Sequence, residues 1–317
     1  MKPSTSPRIA VTGATGYVGR FVVEELQRQG VEVRALCRPE SDRDGFEAPI
    51  EWIEGDLRSP QALLRLVEGV QAVVHLAYEH IPGRYRGGEG DDLERWIEAN
   101  VSGSLRLIAE AARANVPRFV FLSSRAVFSS TEPGRVLDES HPVSPDSHYG
   151  AYKAAVESFL RSFQSQQGMQ AFAVRATGVY GVARPIERSK WWSLVGKALN
   201  GDDIGPPRGG TEVFGGDLAR IVWALLSRPL PDVDIVHASD LYVTNAEIAR
   251  KARRFAGLSE CGYPESPSAP RNPLECRNLH RLGIKLGGVA SLEATVERLV
   301  EATRQSKTVG ELPSDHC

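Results

Sequence analysis

No stretch of this 317-residue sequence is apolar over anything near the ~20 residues that a bilayer-crossing helix requires, so no membrane partner is expected. Cysteine is scarce and scattered: Cys37, Cys261, Cys276 and Cys317 form no Cys-x-x-Cys and no His-flanked pair, which predicts no metal site. Their isolation points to free thiols in a reducing cytoplasm rather than to disulfides. Charge of neither sign is in excess. A formal net charge of −2 argues against a nucleic-acid partner, whose usual footprint is a basic patch. The opening MKPSTSPR is polar and leads straight into the apolar IAVTG, so no targeting segment is expected and a cytoplasmic location follows. No repeat or low-complexity segment occurs. What remains is 41% hydrophobic and 25% charged, an ordinary globular balance in a chain long enough for one sizeable α/β domain and a smaller lobe.

Up to about residue 180, short β-branched runs alternate with amphipathic stretches, the pattern of βαβ units around a parallel sheet. RIAVTG, VEVRAL, IEWIEGD, QAVVHLA, PRFVFLSS and MQAFAVRA read as six strands. Helices are expected over 17–29 and 148–166, and Leu93, Ile97, Val101, Leu105 and Ile108 predict one long helix over 93–114. The segment 183–213 mixes Trp, Arg, Gly and Pro and reads as loops around a pocket. GGDLARIVWALLS returns to helix, DIVHA to strand, and TNAEIARKARRFAG to a helix opened by a Thr-x-x-Glu capping box. SLEATVERLVEATRQS supplies the last helix. These elements predict a dinucleotide-binding domain over 1–180, to which 213–240 returns, and a substrate-binding lobe from 181–212 and 241–317.

Gly13-x-x-Gly16-x-x-Gly19 follows an apolar strand and opens a helix, the context of a phosphate-binding turn. The first glycine permits the turn, the second lets the backbone approach a pyrophosphate, and the third allows the helix to pack on the strand. Thr15, Tyr17 and Val18 lie within that turn, and GDL at Gly55 to Leu57 ends the third strand. At the end of the second strand, where NAD binding asks for a carboxylate, the sequence reads Leu36-Cys37-Arg38. Arg38 suits the extra phosphate of NADP through a bidentate contact. Glu40 leaves NAD open.

Tyr149 and Lys153 stand four apart on a predicted helix and share a face, so the ammonium favours the phenolate. Ser124 lies 25 residues upstream at the carboxyl end of a strand, where ligands bind in doubly wound sheets. The expected roles are Tyr149 as general acid or base, Lys153 as its electrostatic support and ribose ligand, and Ser124 as hydrogen-bond donor to a substrate oxygen. Tyr152 adjoins Lys153 and is the poorer acid/base candidate. His75 sits in an apolar strand and reads as a packing residue. Tyr78 to Gly90 overhangs the crevice and reads as a gating loop, with Tyr78, His80, Arg84 and Tyr85 offering contacts.

Taken together, VTGATGYVG, GDL, VVHLA, NVSGSLRLIAEAARANVPRFVFLSS, the Tyr149 to Lys153 helix, VRATGVYG and GGDLA resemble the extended short-chain dehydrogenases/reductases, the NAD(P)-dependent epimerase/dehydratase group, over roughly residues 8 to 300. The resemblance implies a Rossmann-type doubly wound parallel sheet with a smaller mixed C-terminal lobe. It places Asp56 and Leu57 at the adenine and Leu76, Ala77 and Tyr78 in the cofactor groove. By the same resemblance Asn100, Ser123, Arg175, Ala176, Val179 and Gly178 to Gly181 lie toward the nicotinamide. It also implies a homodimer through the helices at 93–114 and 148–166.

Relatives that dehydrate nucleotide sugars carry an Asp-Glu pair where this chain has Arg125 and Ala126, so dehydration by that route is not expected. Where sugar-nucleotide enzymes of the group place an arginine for the substrate pyrophosphate, this chain has Gly210. Candidate substrate contacts are Tyr78, Tyr85, Ser124, Arg125, Arg184, Trp191 and Arg208, with Arg188, Lys190 and Trp192 nearby in sequence. The expected activity is an NADP-linked reduction or oxidation at a carbonyl or alcohol carbon of a small-molecule substrate. A nucleotide-sugar 4-epimerase is the alternative, and a non-catalytic NADP-binding sensor or scaffold the third reading.

Overall fold

A computed structural model describes residues 6–81, 84, 87–230, 233–259, 262–264 and 269–310, the side chains of 307–310 aside. The chain divides into two compact units. The first takes the chain up to Thr177, Gly216–Ala238 and Asn272–Lys285; the second takes Gly178–Gly215, Ser239–Arg271 and the chain from Leu286.

In the first unit, β1 (Arg8–Thr12), β2 (Glu32–Cys37), β3 (Glu51–Glu54), β4 (Ala72–His75), β5 (Arg118–Ser124), β6 (Gln170–Ala176) and β9 (Ile235–Ala238) form one parallel sheet. Its order is β3-β2-β1-β4-β5-β6-β9, so the order reverses between β1 and β4. A sheet covered on both faces has no polar side, which is why β4 reads AVVH and is buried throughout. Thr12, the last residue of β1, pairs with Leu36 on one side and with His75 on the other. The carboxyl ends of three strands therefore meet at the switch point, where doubly wound sheets take their ligands.

The helices of this unit are α1 (Tyr17–Arg28), α2 (Pro60–Val67), α3 (Leu93–Ile97), α4 (Gly103–Arg113), α5 (His148–Gln167), α7 (Gly215–Ser227) and α9 (Arg277–Arg281). α5 starts at Ser147, whose Oγ accepts from the Gly150 amide at 3.3 Å, and it ends at Gly168 with φ +69°. The single helix expected over 93–114 is instead α3 and α4 joined by a π-helical turn over Glu98–Ser102. Side chains account for the widening. Asn100 Nδ2 donates to the Trp96 carbonyl at 3.0 Å and Ser104 Oγ to the Asn100 carbonyl at 2.5 Å, so both i−4 acceptors are engaged by side chains.

The second unit contains β7 (Gly178–Tyr180), β8 (Gly209–Phe214) and β10 (Leu241–Thr244) in a mixed sheet of order β10-β8-β7. Tyr180, Trp191, Val195, Ala198, Ile248, Ala249, Ala252, Leu292, Val296 and Leu299 make its core with α6 (Trp192–Asn200), α8 (Asn245–Phe255) and α10 (Gly288–Gly310). The 183–213 segment is therefore not all loop. Trp191, Val195 and Ala198 recur at helical spacing, but surrounding Gly, Pro and charge obscure the pattern. The glycine-led β8 has little strand propensity of its own and forms because β7 and β10 pair with it. At α8, Thr244 Oγ1 accepts from the Glu247 amide at 3.1 Å, the bond a capping box supplies.

One further difference concerns chain routing. Asn272–Lys285, expected in the second lobe, belongs to the first unit. Leu137 N donates to Pro273 O and Glu275 N to Leu137 O, each at 2.9 Å, and the Glu139 carboxylate accepts from the amides of Arg277 and Asn278 at 3.2 and 3.1 Å. Among the described residues no helix is long and apolar enough to cross a membrane. Cys37 and Cys276 are free thiols; Cys261 and Cys317 lie outside the described residues.

Candidate active site

The glycine turn leaves β1 with Gly13 at φ +75°. A Cβ at Gly13 would stand 2.7 Å from the Ala77 amide nitrogen, so the turn admits no side chain where β1 and β4 end. Gly19 is equally constrained: a Cβ there would collide with the carbonyls of Gly13 and Ala14, as expected where helix packs directly on turn. Gly16 forms the N-cap of α1 and no side chain caps the helix, which leaves amides for an anion. A bare turn ahead of an uncapped helix fits a dinucleotide pyrophosphate, with Thr15, Tyr17 and Val18 half-buried around it.

Beside this turn the charged groups are mutually tied. Asp56 receives Arg58 Nε at 3.0 Å and Nη2 at 2.6 Å, and Arg58 also reaches Glu79 at 3.3 Å. Burial acts to raise the Asp56 carboxyl, but the bonds from Arg58 outweigh it and hold the group below its usual range. Leu57 is buried, and its Cβ would lie 2.6 Å from one added at Gly103. Arg38 pairs with Glu40 at 3.1 Å, both largely exposed. Asn100 is fully buried in the π turn; its Oδ1 accepts from the Glu79 amide at 2.8 Å and its Nδ2 donates to the Glu79 carbonyl at 2.9 Å. Its amide is thus committed to the backbone of the segment after β4.

Tyr149 and Lys153 lie one turn apart on α5. Lys153 is 3% exposed, and its Nζ donates to the Leu122 carbonyl of β5 at 2.7 Å. Four rings surround it: Nζ lies 4.5 Å from the centroid of Phe121, 4.8 Å from Tyr152, 5.6 Å from Tyr149 and 5.7 Å from Tyr78. Burial pushes the ammonium down to about 7, with Glu157 acting in the opposite sense, and the ring faces further favour the cation. Ser124 ends β5, and its Oγ accepts from the Ala126 amide at 3.1 Å at the start of the 3₁₀ turn Arg125–Phe128. That turn meets the start of α5 closely. A Cβ on Gly150, next to Tyr149, would stand 2.5 Å from the Ala126 carbonyl oxygen. Tyr78 packs on Tyr149 with centroids 5.0 Å apart.

Arg175, expected toward the nicotinamide, is 3% exposed and forms a buried pair with Glu157 at 2.7 Å. Ser123 donates its hydroxyl to the same carboxylate. Ala176 is buried at the end of β6. Trp191, expected at the substrate, is 8% exposed and stacks on Tyr180 at 5.1 Å, a packing role in the second unit. Arg125 Nη2 donates to the Asn272 carbonyl at 2.7 Å and so fastens the returning segment. In the second unit, Val179 lies in β7, Gly210 in β8, and Arg184 and Arg208 are exposed. Lys190 pairs with Glu212 at 2.5 Å. Tyr85 lies outside the described residues.

Sequence reading treated His75 and Tyr152 singly and passed over Ser104. In the structure they share one buried polar group: His75 Nδ1 lies 2.7 Å from Thr12 Oγ1, His75 Nε2 2.8 Å from Ser104 Oγ, and Tyr152 Oη 3.1 Å from that same Oγ. Burial, with Lys153 adding to it, lowers His75 to about 3, and burial lowers His237 to about 4. Unfolded histidine titrates near ~6.5, so as pH falls from there the unfolded chain takes up protons that the folded chain refuses. Stability present above that value is lost as pH falls toward the folded values, by on the order of a few kcal/mol. Urea unfolding at pH 7 and pH 5 measures this. His75→Asn should flatten the slope, and an unchanged slope in both His75→Asn and His237→Asn counts against the assignment.

A doubly wound sheet with a bare glycine turn at its switch point defines a dinucleotide-binding α/β protein. Residues 9–236 match the NAD dependent epimerase/dehydratase family, and the chain belongs to it. The UDP-glucose 4-epimerase of Azospirillum brasilense is 27% identical over 278 residues, covering 84% of this chain and 75% of that protein. The ceramide reductase of Caulobacter vibrioides is 33% identical over 174 residues, 55% of this chain and 46% of that protein, and a putative dihydroflavonol 4-reductase of Synechocystis is 35% identical over 144 residues, 45% and 40% respectively. The chain thus spans less than half the length of these two reductases. The UDP-glucose 4-epimerase of Thermotoga maritima, solved with UDP-glucose, has the same fold at a TM-score of 0.78 and 19% identity, covering 95% of this chain and 99% of that one. MoeE5, solved with UDP-glucuronic acid and NAD, is 25% identical at a TM-score of 0.74, covering 95% of this chain and 100% of its own.

Proposed function

We propose that this chain is an NADP-linked carbonyl reductase or alcohol dehydrogenase of the extended short-chain dehydrogenase/reductase type, acting on a small or medium polar substrate. The observation that carries the reading is the buried Lys153 ammonium beside Tyr149, one helical turn away on α5 and next to the Ser124 turn. Gly13, Thr15, Gly16, Tyr17, Val18 and Gly19 would hold the dinucleotide pyrophosphate, Asp56 and Leu57 the adenine, and Leu76, Ala77, Tyr78 and Lys153 the remainder. Bound there, a nicotinamide would supply or take up a hydride. Tyr149 gives a proton to the substrate oxygen during reduction and recovers it during oxidation. Ser124 donates a hydrogen bond to the same oxygen and fixes it against Tyr149. Lys153 stabilises the phenolate that Tyr149 becomes.

Arg38 is our assigned ligand for the 2'-phosphate, exchanging Glu40 for it. Arg38→Ala is expected to weaken NADPH roughly tenfold and to leave NADH within about twofold, read by fluorescence titration of each. If both cofactors weaken together, Arg38 is not a phosphate ligand. We further assign substrate recognition to the second unit and a homodimer to the helices at 93–114 and 148–166, where Leu93, Ile97 and Phe159 are 37%, 41% and 45% exposed.

The second reading is a nucleotide-sugar 4-epimerase, favoured by the extent of the match to the Azospirillum enzyme. Against it stands Gly210 in β8, opposite Val243, where no side chain is present to clamp a pyrophosphate. Following nicotinamide absorbance over carbonyl, alcohol and UDP-sugar panels separates the two. Net oxidation of NADPH supports the reductase. Interconversion of sugars at constant absorbance supports the epimerase, and cofactor binding with neither leaves a sensor or scaffold.

A further inference from the structure

The polar group under the site has a fixed proton order. The Asn100 carbonyl only accepts, so the single Ser104 proton goes to it, at 2.5 Å. Two other groups lie within hydrogen-bond reach of Ser104 Oγ, Tyr152 Oη at 3.1 Å and His75 Nε2 at 2.8 Å, and with its proton spent Ser104 has only lone pairs to offer them. Both must therefore donate. Burial keeps His75 neutral, so a proton on Nε2 leaves Nδ1 bare as an acceptor, and Thr12 must donate its hydroxyl to it at 2.7 Å. Thr12 Oγ1 then accepts from the Ala77 amide at 3.3 Å. Each polar atom of the set is used in this arrangement. Reversing any proton would set two donors or two acceptors against each other among side chains that are all buried.

The consequence falls on the aromatic ring that ends the group. Tyr152 is 2% exposed and stacks on Tyr78 at 5.9 Å and 12°, and Tyr78 in turn packs on Tyr149. Trp96 and Phe121 meet the Tyr152 ring edge-on at 5.8 and 6.1 Å, and Lys153 Nζ lies 4.8 Å from its centroid. We propose that Tyr152 is a positioning residue for Tyr149 and Lys153, locked by hydrogen bonds that converge on Ser104 from Tyr152 and from Thr12 through His75. The link ties the residue before the glycine turn to the helix that carries the acid/base pair. It rests on the proposed function in assigning chemistry to Tyr149 and Lys153, while the proton order stands on the hydrogen-bond geometry and the burial of His75.

Three measurements on the full chain test it. In protein labelled with ¹⁵N-histidine, with His75→Asn assigning the resonance, His75 should be neutral and protonated at Nε2 at pH 7. A proton on Nδ1, or an imidazolium, overturns the proposal. Tyr152→Phe keeps the ring and removes the anchor; kcat should fall roughly tenfold while KM and NADPH affinity stay within about twofold, as for a lost interaction that orients groups in the transition state. In the same variant, labelled with ¹³C-lysine, the titration midpoint of Lys153 should move from the parent value. An unchanged midpoint and kcat together overturn the proposal, and Ser104→Ala, with the same expectations, decides it if Tyr152→Phe does not fold. Absence of turnover in the parent protein would reject the proposed function but leave the tautomer and the Lys153 midpoint as readouts.

Discussion

Tyr149→Phe is expected to lower kcat by about 10²–10⁴-fold while the chain still binds its dinucleotide. The change deletes one oxygen from a half-buried ring and leaves its contact with Tyr78 in place. A free phenol titrates near ~10, so proton exchange at neutral pH depends on a nearby cation. Lys153 is that cation, 5.6 Å from the Tyr149 ring, and among the described residues no carboxylate is in hydrogen-bond contact to neutralise it; its Nζ donates instead to a carbonyl. Steady-state kinetics with fluorescence titration of the cofactor measures both quantities. Full turnover in Tyr149→Phe would remove the acid/base assignment, and loss of cofactor binding along with turnover would point to a structural role.

Glu157→Gln is expected to destabilise the fold by about 3–5 kcal/mol, because it strands the Arg175 guanidinium without its counter-charge. The two side chains are 7% and 3% exposed, and Arg175 also lies over the Phe128 ring at 4.8 Å. On a protein of this size the loss corresponds to a fall in Tm of roughly 10 °C. Glu157→Met combined with Arg175→Met should cost less than Glu157→Gln alone, since no buried charge is then left unpaired. Denaturant melts of the variants decide it. If the double variant is the less stable, the pair contributes net attraction rather than a penalty avoided. Glu157 also favours the charged form of Lys153, so the single variant should titrate that lysine lower still.

The parts of the site that sequence made legible share a local cause. The three glycines stand at a fixed spacing because one turn must bend, admit a phosphate and pack on its own helix; backbone neighbours leave no room for a side chain at Gly13 and Gly19, and Gly16 caps the helix without a side-chain cap. Tyr149 and Lys153 were legible for the same reason, since four residues make one helical turn. The pairing of Arg175 and Ser123 with Glu157 was not legible, because a strand alternates faces without recording which face meets a carboxylate from another helix. Trp191 reads as a ligand contact in a polar, Gly-rich stretch, and only its stacking on Tyr180 shows it to be core. Ser104 carries no signal at all.

By itself the sequence determined the βαβ alternation, the glycine turn, the cap at Thr244, and the spacing of Tyr149 and Lys153, each encoded within a few residues. Tertiary structure decided the π turn that aims Asn100 at Glu79, the return of Asn272–Lys285 to the first unit, and the meeting of Thr12, His75, Ser104 and Tyr152. Those contacts join residues 29, 48 and 63 positions apart, in His75 with Ser104, Ser104 with Tyr152, and Thr12 with His75. Periodicity reports which face of an element is buried, but the partner on that face is set by how the sheet orders its strands.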